Sequence, residues 1–283
     1  ISGYKTLVVG DLKTPADWQH EKVEFISVTD QNALSFKILN HLPYNHYSRK
    51  MIGYLRAIEM GAEIIIDTDD DNIPKAEWGF PDFQGEYHIS ESDLGFVNIY
   101  EAFTDEFIWP RGLPLDSIRH NQTLRIDDKV SHTNVGIWQG LADGDPDVDA
   151  IYRLVLDKPC RFNLRPPVVL DVGTISPFNT QNTAIRKELF PLLYLPTYVT
   201  FRFTDILRGL IAQPIMWLYG YHLGFTQATV DQLRNPHDYL KDFVSEIPMY
   251  ENSEKVFNMV KQTISIKHSL KDNLFSAYEA LEA

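Results

Sequence analysis

The sequence is short of cysteine, of basic charge and of long apolar runs, and each shortage removes a class of function. Its one cysteine, Cys160, leaves no partner for an internal disulfide and no multi-cysteine zinc site. No histidine lies near it in sequence, so it reads as a small buried hydrophobe, not a nucleophile. Lys and Arg number 26 against 39 Asp and Glu, a formal net charge of -13. A nucleic-acid partner needs a concentrated basic face, so the surplus of carboxylates argues against one and suits a cation better. No stretch approaches the roughly 20 apolar residues of a membrane span, and no basic, apolar leader opens the chain. As given, the chain reads as soluble. It opens on Ile1, not Met, with a strand almost at once, so the expectation is that an anchor or leading element has been removed. Repeats, low-complexity tracts and linkers are also lacking.

What is present is enough for a large core: 283 residues, 44% of them hydrophobic, which excludes wholesale disorder and demands no second domain. Residues 5–10 and 23–28 read as strands separated by a loop at Thr14-Pro15-Ala16-Asp17-Trp18. From Asn45 to Met60, Met51, Tyr54, Leu55 and Ile58 recur at helical spacing, and Gly61 ends the helix. Residues 62–66 supply the apolar run of a central parallel strand, so strand, helix and strand make a βαβ unit of an α/β protein. Residues 79–128 read as short strands and long loops. Further on, helices are predicted over 148–156 and 183–193, strands over 168–172 and 198–203, and a helix over 204–217 that breaks near Pro214. The tail from Asn252 has helical periodicity.

The chemistry concentrates at Asp67-Thr68-Asp69-Asp70-Asp71, four carboxylates at the carboxyl end of a predicted strand. Ligands of open α/β sheets bind outside that end. Crowded carboxylates raise one another's pKa, so a site that keeps them ionised holds a cation, and hard oxygen donors favour magnesium, manganese or calcium over zinc. An EF-hand loop fails, because glycine is needed where Asn72 stands and glutamate where Trp78 stands. An aspartyl nucleophile of a haloacid-dehalogenase-like phosphatase is a distant alternative. The third reading is an Asp-x-Asp clamp in which the cation bridges protein carboxylates and a sugar-nucleotide diphosphate. Either Asp67 or Asp69 can begin it.

Residues 47–71, a helix opening on Arg49 and Lys50 followed by the acidic strand, look like the nucleotide-binding segment of a GT-A glycosyltransferase. Further segments narrow the resemblance: Thr14-Pro15-Ala16-Asp17-Trp18, His41-Leu42-Pro43-Tyr44, Gly53-Tyr54-Leu55, Trp109-Pro110-Arg111-Gly112-Leu113-Pro114-Leu115, Pro146-Asp147-Val148-Asp149, Phe178-Asn179-Thr180 and Asp205-Ile206-Leu207-Arg208-Gly209. Collinear to about residue 225, they resemble the STELLO glycosyltransferases, with reversibly glycosylated polypeptides more distant. The resemblance implies a GT-A, Rossmann-like fold, a mixed and mostly parallel sheet flanked by helices. It implies a catalytic domain over residues 1–235 and a helical C-terminal extension over 236–283. It implies transfer of sugar from a nucleoside-diphosphate donor, UDP-sugar foremost, to a glycan or glycoconjugate, with Mn2+ or Mg2+ as cofactor. Plant members are Golgi membrane proteins associated with cellulose synthase. A eukaryotic chain would therefore lie in the Golgi lumen as the soluble part of an anchored protein, and any other in the cytoplasm. Two departures stand out. Asp71 replaces a residue that tends to be basic in the plant proteins, and the strand and helix that precede the segment matching residues 5–10 in the family are missing.

On these grounds Asp69 and Asp71 are the expected metal contacts, supported by Asp67 and Asp70. Arg49, Lys50 and Asn179, with Asp67 and Asp69, are assigned to the nucleotide or donor. Asp205 is either a helix cap or the general base that deprotonates the acceptor. Trp109, Arg111, Asp147, Asp149 and Arg208 are assigned to acceptor or sugar, although Trp109 reads slightly better as a buried loop anchor. Arg208 is alternatively the ion-pair partner of Asp205. Asp143 and Asp145 lie with Asp147 and Asp149 in a turn that lacks the residues of a calcium loop. Thr180 and Asn182 suit sugar hydroxyls or Asx turns equally. His222 reads as structural, not as a metal ligand. Asn121-Gln122-Thr123 is a possible glycosylation triplet. The competing function class is a catalytically weak scaffold of a polysaccharide-synthesis complex.

Overall fold

Among the described residues, the two apolar runs nearest the start of the chain pair as strands with each other and with no other strand. In a computed structural model, which describes residues 3–15, 17–119 and 123–282, β1 (Thr6–Val9) and β2 (Val23–Ile26) form a parallel two-stranded sheet in register from Thr6 with Val23 to Val9 with Ile26. The glycosylation triplet begins outside the described residues. Val28, expected to close the second strand, instead opens α1 (Val28–Ala33), because Ser27 and Asp30 form a reciprocal capping box. Gln31 of α1 then donates to the carbonyls of Gly10 (2.6 Å) and Ile26 (2.9 Å), which ties the strand ends together.

The predicted helix from Asn45 begins later, as α2 (Lys50–Glu59), after a tighter turn at Tyr47–Arg49. It buries Met51, Ile52 and Tyr54, and Gly61 ends it at φ +78°. The acidic strand follows as β3 (Ile64–Thr68), with a correction. It was expected to be central and parallel. It lies instead at one end of a seven-stranded sheet, antiparallel to its neighbour, with Ile64 exposed. Among the described residues no strand pairs with its outer edge.

The remaining strands are β4 (Asn72–Pro74), β5 (Gln84–Ser90), β6 (Gly95–Phe96), β7 (Ile126–Gly144), β8 (Val168–Leu170), β9 (Thr174–Ile175), β10 (Asn182–Arg186) and β11 (His222–Gln232). Between and after them lie α3 (Leu115–Arg119), α4 (Ala150–Val155), α5 (Thr204–Leu218), α6 (Tyr239–Thr263) and α7 (Leu270–Glu282). The large sheet runs β3-β10-β7-β5-β8-β11-β4, and β7 also pairs with β11. The class is the expected one, a mixed α/β sheet flanked by helices. Within it only β5 with β8 and β7 with β11 are parallel, while five ladders are antiparallel, so the sheet is less parallel than expected. Parallel neighbours need a crossover, and antiparallel returns do not.

Three local expectations fail for identifiable reasons. Residues 183–193 are not a helix. β-Branched Thr183 and Ile185 sit in β10 between β3 and β7, and a three-ten turn over Lys187–Leu193 carries the apolar spacing that mimics a helix. Residues 198–203 are not a strand; Phe201–Phe203 is a three-ten turn leading into α5. Nor does α5 break at Pro214. Every residue from Thr204 to Met216 is buried, so packing on all sides outweighs the lost backbone hydrogen bond. Glu246 of α6, fully buried, fastens that helix to the domain through Arg202 (2.7 Å) and the Ala150 amide (2.7 Å). No helix among the described residues is long and apolar enough to cross a membrane.

Candidate functional site

A helix start and a strand end meet at the acidic run. Lys50, the first residue of α2, sets its Nζ 2.9 Å from Asp67 Oδ1 and 2.6 Å from Asp69 Oδ1. Tyr54, one turn later on the same face, donates its hydroxyl to Asp67 Oδ2. Residues four apart therefore grip Asp67 from two sides, and the carboxylate is 7% exposed. Burial works to lower the Lys50 pKa, but Asp67 and Asp69 hold the ammonium well above the usual lysine range. Burial raises Asp69 to about 6 against the opposing pull of Lys50. Tyr47 reaches Asp69 Oδ1 at 3.5 Å and contacts the Thr180 hydroxyl.

Asp71 differs from its neighbours. Its Oδ2 accepts from Gln232 at 3.3 Å, while Oδ1 is buried without a hydrogen-bond partner. Asp70 is exposed at the rim. Among the described residues no three acidic, histidine or cysteine side chains stand ready-grouped for a metal ion. Lys50 is what stands between Asp67 and Asp69. The feature that fits a hard cation is the orphaned Asp71 oxygen beside Asp69, an all-oxygen donor set of the kind magnesium and manganese take.

The facing wall is built on one arginine. Arg111 forks onto Asp147 with two bonds of 2.8 Å and onto Asp205 with two of 3.0 Å. It also donates to the carbonyl of Arg202. Burial works against the guanidinium's charge, yet Asp147 and Asp205 keep its pKa well above the usual arginine value. Burial likewise would raise Asp147, but Arg111 overcomes it and lowers the carboxyl to about 2. Asn179 Nδ2 donates to Asp147 at 2.7 Å. The turn that delivers Arg111 depends on Gly112, which takes φ +94° and lies so close to α5 that a Cβ would strike Ile206. Both walls line one cleft of about 1180 Å3, whose other half is apolar and bounded by β1, β3, Trp18, Trp78 and Phe80.

Of the residues singled out in the sequence, the structure brings Lys50, Asp67, Asp69, Asp70, Asp71, Arg111, Asp147, Asn179 and Asp205 to this cleft. Others go elsewhere. Arg49 turns inward to the Leu42 carbonyl (3.2 Å), Gln31 and the face of Tyr44. Trp109 is a buried anchor whose indole donates to Asp149 (2.8 Å), and Asp149 caps α4. Arg208 does not pair with Asp205; it donates to the Asn179 carbonyl and lies over Phe178. His222 meets the Leu170 carbonyl, Asp143 pairs with Lys75, Asp145 with Arg153, and Asn182 joins Trp78 to Thr229. Cys160 is buried, with its thiol pKa raised by burial. Sequence reasoning passed over Tyr47, Gln181, Arg202, Gln232, Arg234 and His237, which also line the cleft. The spacing of Tyr47, Lys50 and Tyr54 along one helix face was a usable signal. Gln232 and Arg234 had none, because β11 was not foreseen.

Residues 202–279 match the family model described as STELLO glycosyltransferases. The chain is also similar to Probable glycosyltransferase STELLO2 of Arabidopsis thaliana, 31% identical over 289 residues covering 95% of this chain and 37% of that protein. Probable glycosyltransferase STELLO1 of the same plant is 30% identical with the same coverage. The chain thus spans about 37% of the length of these curated relatives. The resemblance read from the motif series is borne out and extends past residue 225 into the C-terminal helices, where sequence reasoning identified none.

Proposed function

We propose, starting from the STELLO resemblance, that this chain is the donor-binding part of a metal-dependent glycosyltransferase that moves sugar from a nucleoside-diphosphate donor, UDP-sugar foremost, to a glycan or glycoconjugate hydroxyl. The observation that carries the reading is the cleft itself: an acidic strand end on one wall and a buried arginine with two carboxylates on the other. Asp69 and Asp71 would hold Mn2+ or Mg2+, with Asp67 and Asp70 in support. A bound cation would neutralise charge developing on the departing diphosphate. The chain's own groups do the rest. Lys50 offers an ammonium to phosphate oxygens, and Asn179 orients Asp147. Asp205, lining the cleft in its ion pair with Arg111, is the group assigned to take the acceptor's proton. The apolar residues of the cleft would shield a bound donor from part of the water, which would strengthen the charge interactions beside it.

One observation favours a second reading, a catalytically weak scaffold of the same fold: Arg111 already engages both oxygens of Asp205. A titration of UDP and a panel of UDP-sugars with Mn2+ and with EDTA separates the two. Metal-dependent binding followed by slow release of UDP supports the transferase. Absence of metal-dependent binding for every nucleotide sugar tested sinks it.

A further inference from the structure

Two of the carboxylates assigned to a divalent cation already hold a positive charge. Lys50 Nζ bridges Asp67 Oδ1 and Asp69 Oδ1 at 2.9 and 2.6 Å, closer than surface ion pairs need to be and in a partly buried setting. Asp67 does not depend on it alone, because Tyr54 donates to its other oxygen. Among the described residues, the Asp69 carboxylate meets the ammonium and, at longer range, the Tyr47 hydroxyl. A cation arriving at Asp69 and Asp71 would therefore share Asp69 with the ammonium, and like charges on one carboxylate repel.

The lysine is built to move. It springs from the first residue of α2 on a flexible four-carbon stem, its side chain is 24% exposed, and it lines the cleft. The Tyr47 ring, 4.9 Å from Nζ, gives the charge a second seat on the way out.

We infer that Lys50 is a resident counter-ion that makes divalent-cation binding depend on the nucleoside diphosphate. Without nucleotide it bridges Asp67 and Asp69 and offsets part of their charge. When a diphosphate enters, the ammonium passes from Asp69 to a phosphate oxygen and leaves that carboxylate to the cation. Nothing covalent changes; one ion pair is exchanged for two. The inference rests on the reading of Asp69 and Asp71 as cation ligands. By linkage the effect is reciprocal, so the cation strengthens nucleotide binding by the same factor as the nucleotide strengthens cation binding.

The test is a Mn2+ titration of the full chain followed by electron paramagnetic resonance of the free ion, with and without UDP, in wild type and Lys50→Met. Wild type should bind Mn2+ alone weakly, and Lys50→Met should bind it about tenfold more tightly, a factor within the usual range of such couplings. UDP should then enhance Mn2+ binding less in Lys50→Met than in wild type. A second readout needs no nucleotide: Mn2+ alone should raise the melting temperature of Lys50→Met more than that of wild type. If that variant does not fold, Lys50→Gln takes its place, and wild type that binds Mn2+ as tightly without UDP as with it already overturns the inference. So does Mn2+ affinity in the lysine variant no higher than in wild type. If wild type retains metal-dependent UDP binding in that event, the transferase reading stands and only the role of Lys50 falls.

Discussion

Arg111→Met replaces a guanidinium by an uncharged side chain of similar length and leaves Asp147 and Asp205 facing each other in the interior. Four side-chain bonds of 2.8 to 3.0 Å disappear, from an arginine 5% exposed and an Asp205 1% exposed. Breaking a buried pair by removing one partner typically costs about 3–5 kcal/mol, since an uncompensated charge stays behind. An independent route gives a lower bound. The Asp147 pKa falls from 3.8 to about 2, which at about 1.4 kcal/mol per tenfold change in proton affinity is of the order of 2 kcal/mol for that carboxylate alone. For a chain of this size each kcal/mol moves the melting temperature by about 2–4 °C, so a drop of roughly 10 °C is expected. Urea denaturation followed by circular dichroism at pH 7 and at pH 4.5 reads the effect. The pH sign follows from the direction of the shift. A carboxyl whose folded pKa is depressed gives stability that is present above about 3.8 and lost as pH falls through about 2. Wild type should therefore keep this contribution at pH 4.5. The variant's unpaired carboxylates take up protons on the same acidification, so its deficit should shrink. Arg111→Lys, which keeps the charge but not the fork, should fall between the two. A loss below about 1 kcal/mol, or a deficit that does not narrow with acid, refutes the account of this wall.

Gly112→Ala should cost roughly 2 kcal/mol or more, from a strained positive φ and from collision with Ile206, and should loosen Arg111 at the same time; thermal melting and metal-dependent UDP binding measured on one preparation check both effects. Asp149 gives a pH dependence of opposite sign to Asp147. Burial raises its carboxyl to about 6 in the fold despite the bonds from Tyr152 and Trp109. Its contribution is thus full below about 3.8 and lost as pH rises through about 6, of the order of 3 kcal/mol. Asp149→Asn keeps the cap of α4 and should flatten the fall in stability between pH 4 and 6. Asp69, also raised to about 6, leaves part of that slope in the variant, whereas an undiminished slope contradicts the assignment.

The acidic strand end was legible because its signals are local: an apolar run, a glycine-ended helix before it and four carboxylates after it all lie within about two dozen consecutive residues. The same locality explains the errors. Arg49 and Lys50 are adjacent in sequence, but successive positions on a helical turn point about 100° apart, so one enters the cleft and its neighbour turns into the core. Residues 183–193 carry apolar spacing that suits a helix, and only the flanking positions of β3 and β7 decide for β10. The pairing of Arg111 with Asp147 and Asp205 had no signature at all, because nothing in a linear pattern says that a Pro-Gly turn will meet two distant carboxylates. Asp149 was assigned to the site for its chemistry, whereas Trp109 read slightly better as a buried loop anchor, and the structure pairs the two with each other.

The distance in sequence across that arginine fork has a further meaning. Its two carboxylates lie 36 and 94 residues after the arginine. Two long loops must close, and the sheet between them must be in register, before any bond of the fork can form. Until then three charged groups await burial with no compensation available. The fork therefore belongs to the last stage of assembly. It acts less as a seed of the fold than as a latch on the finished one, and its removal should quicken opening far more than it slows closing.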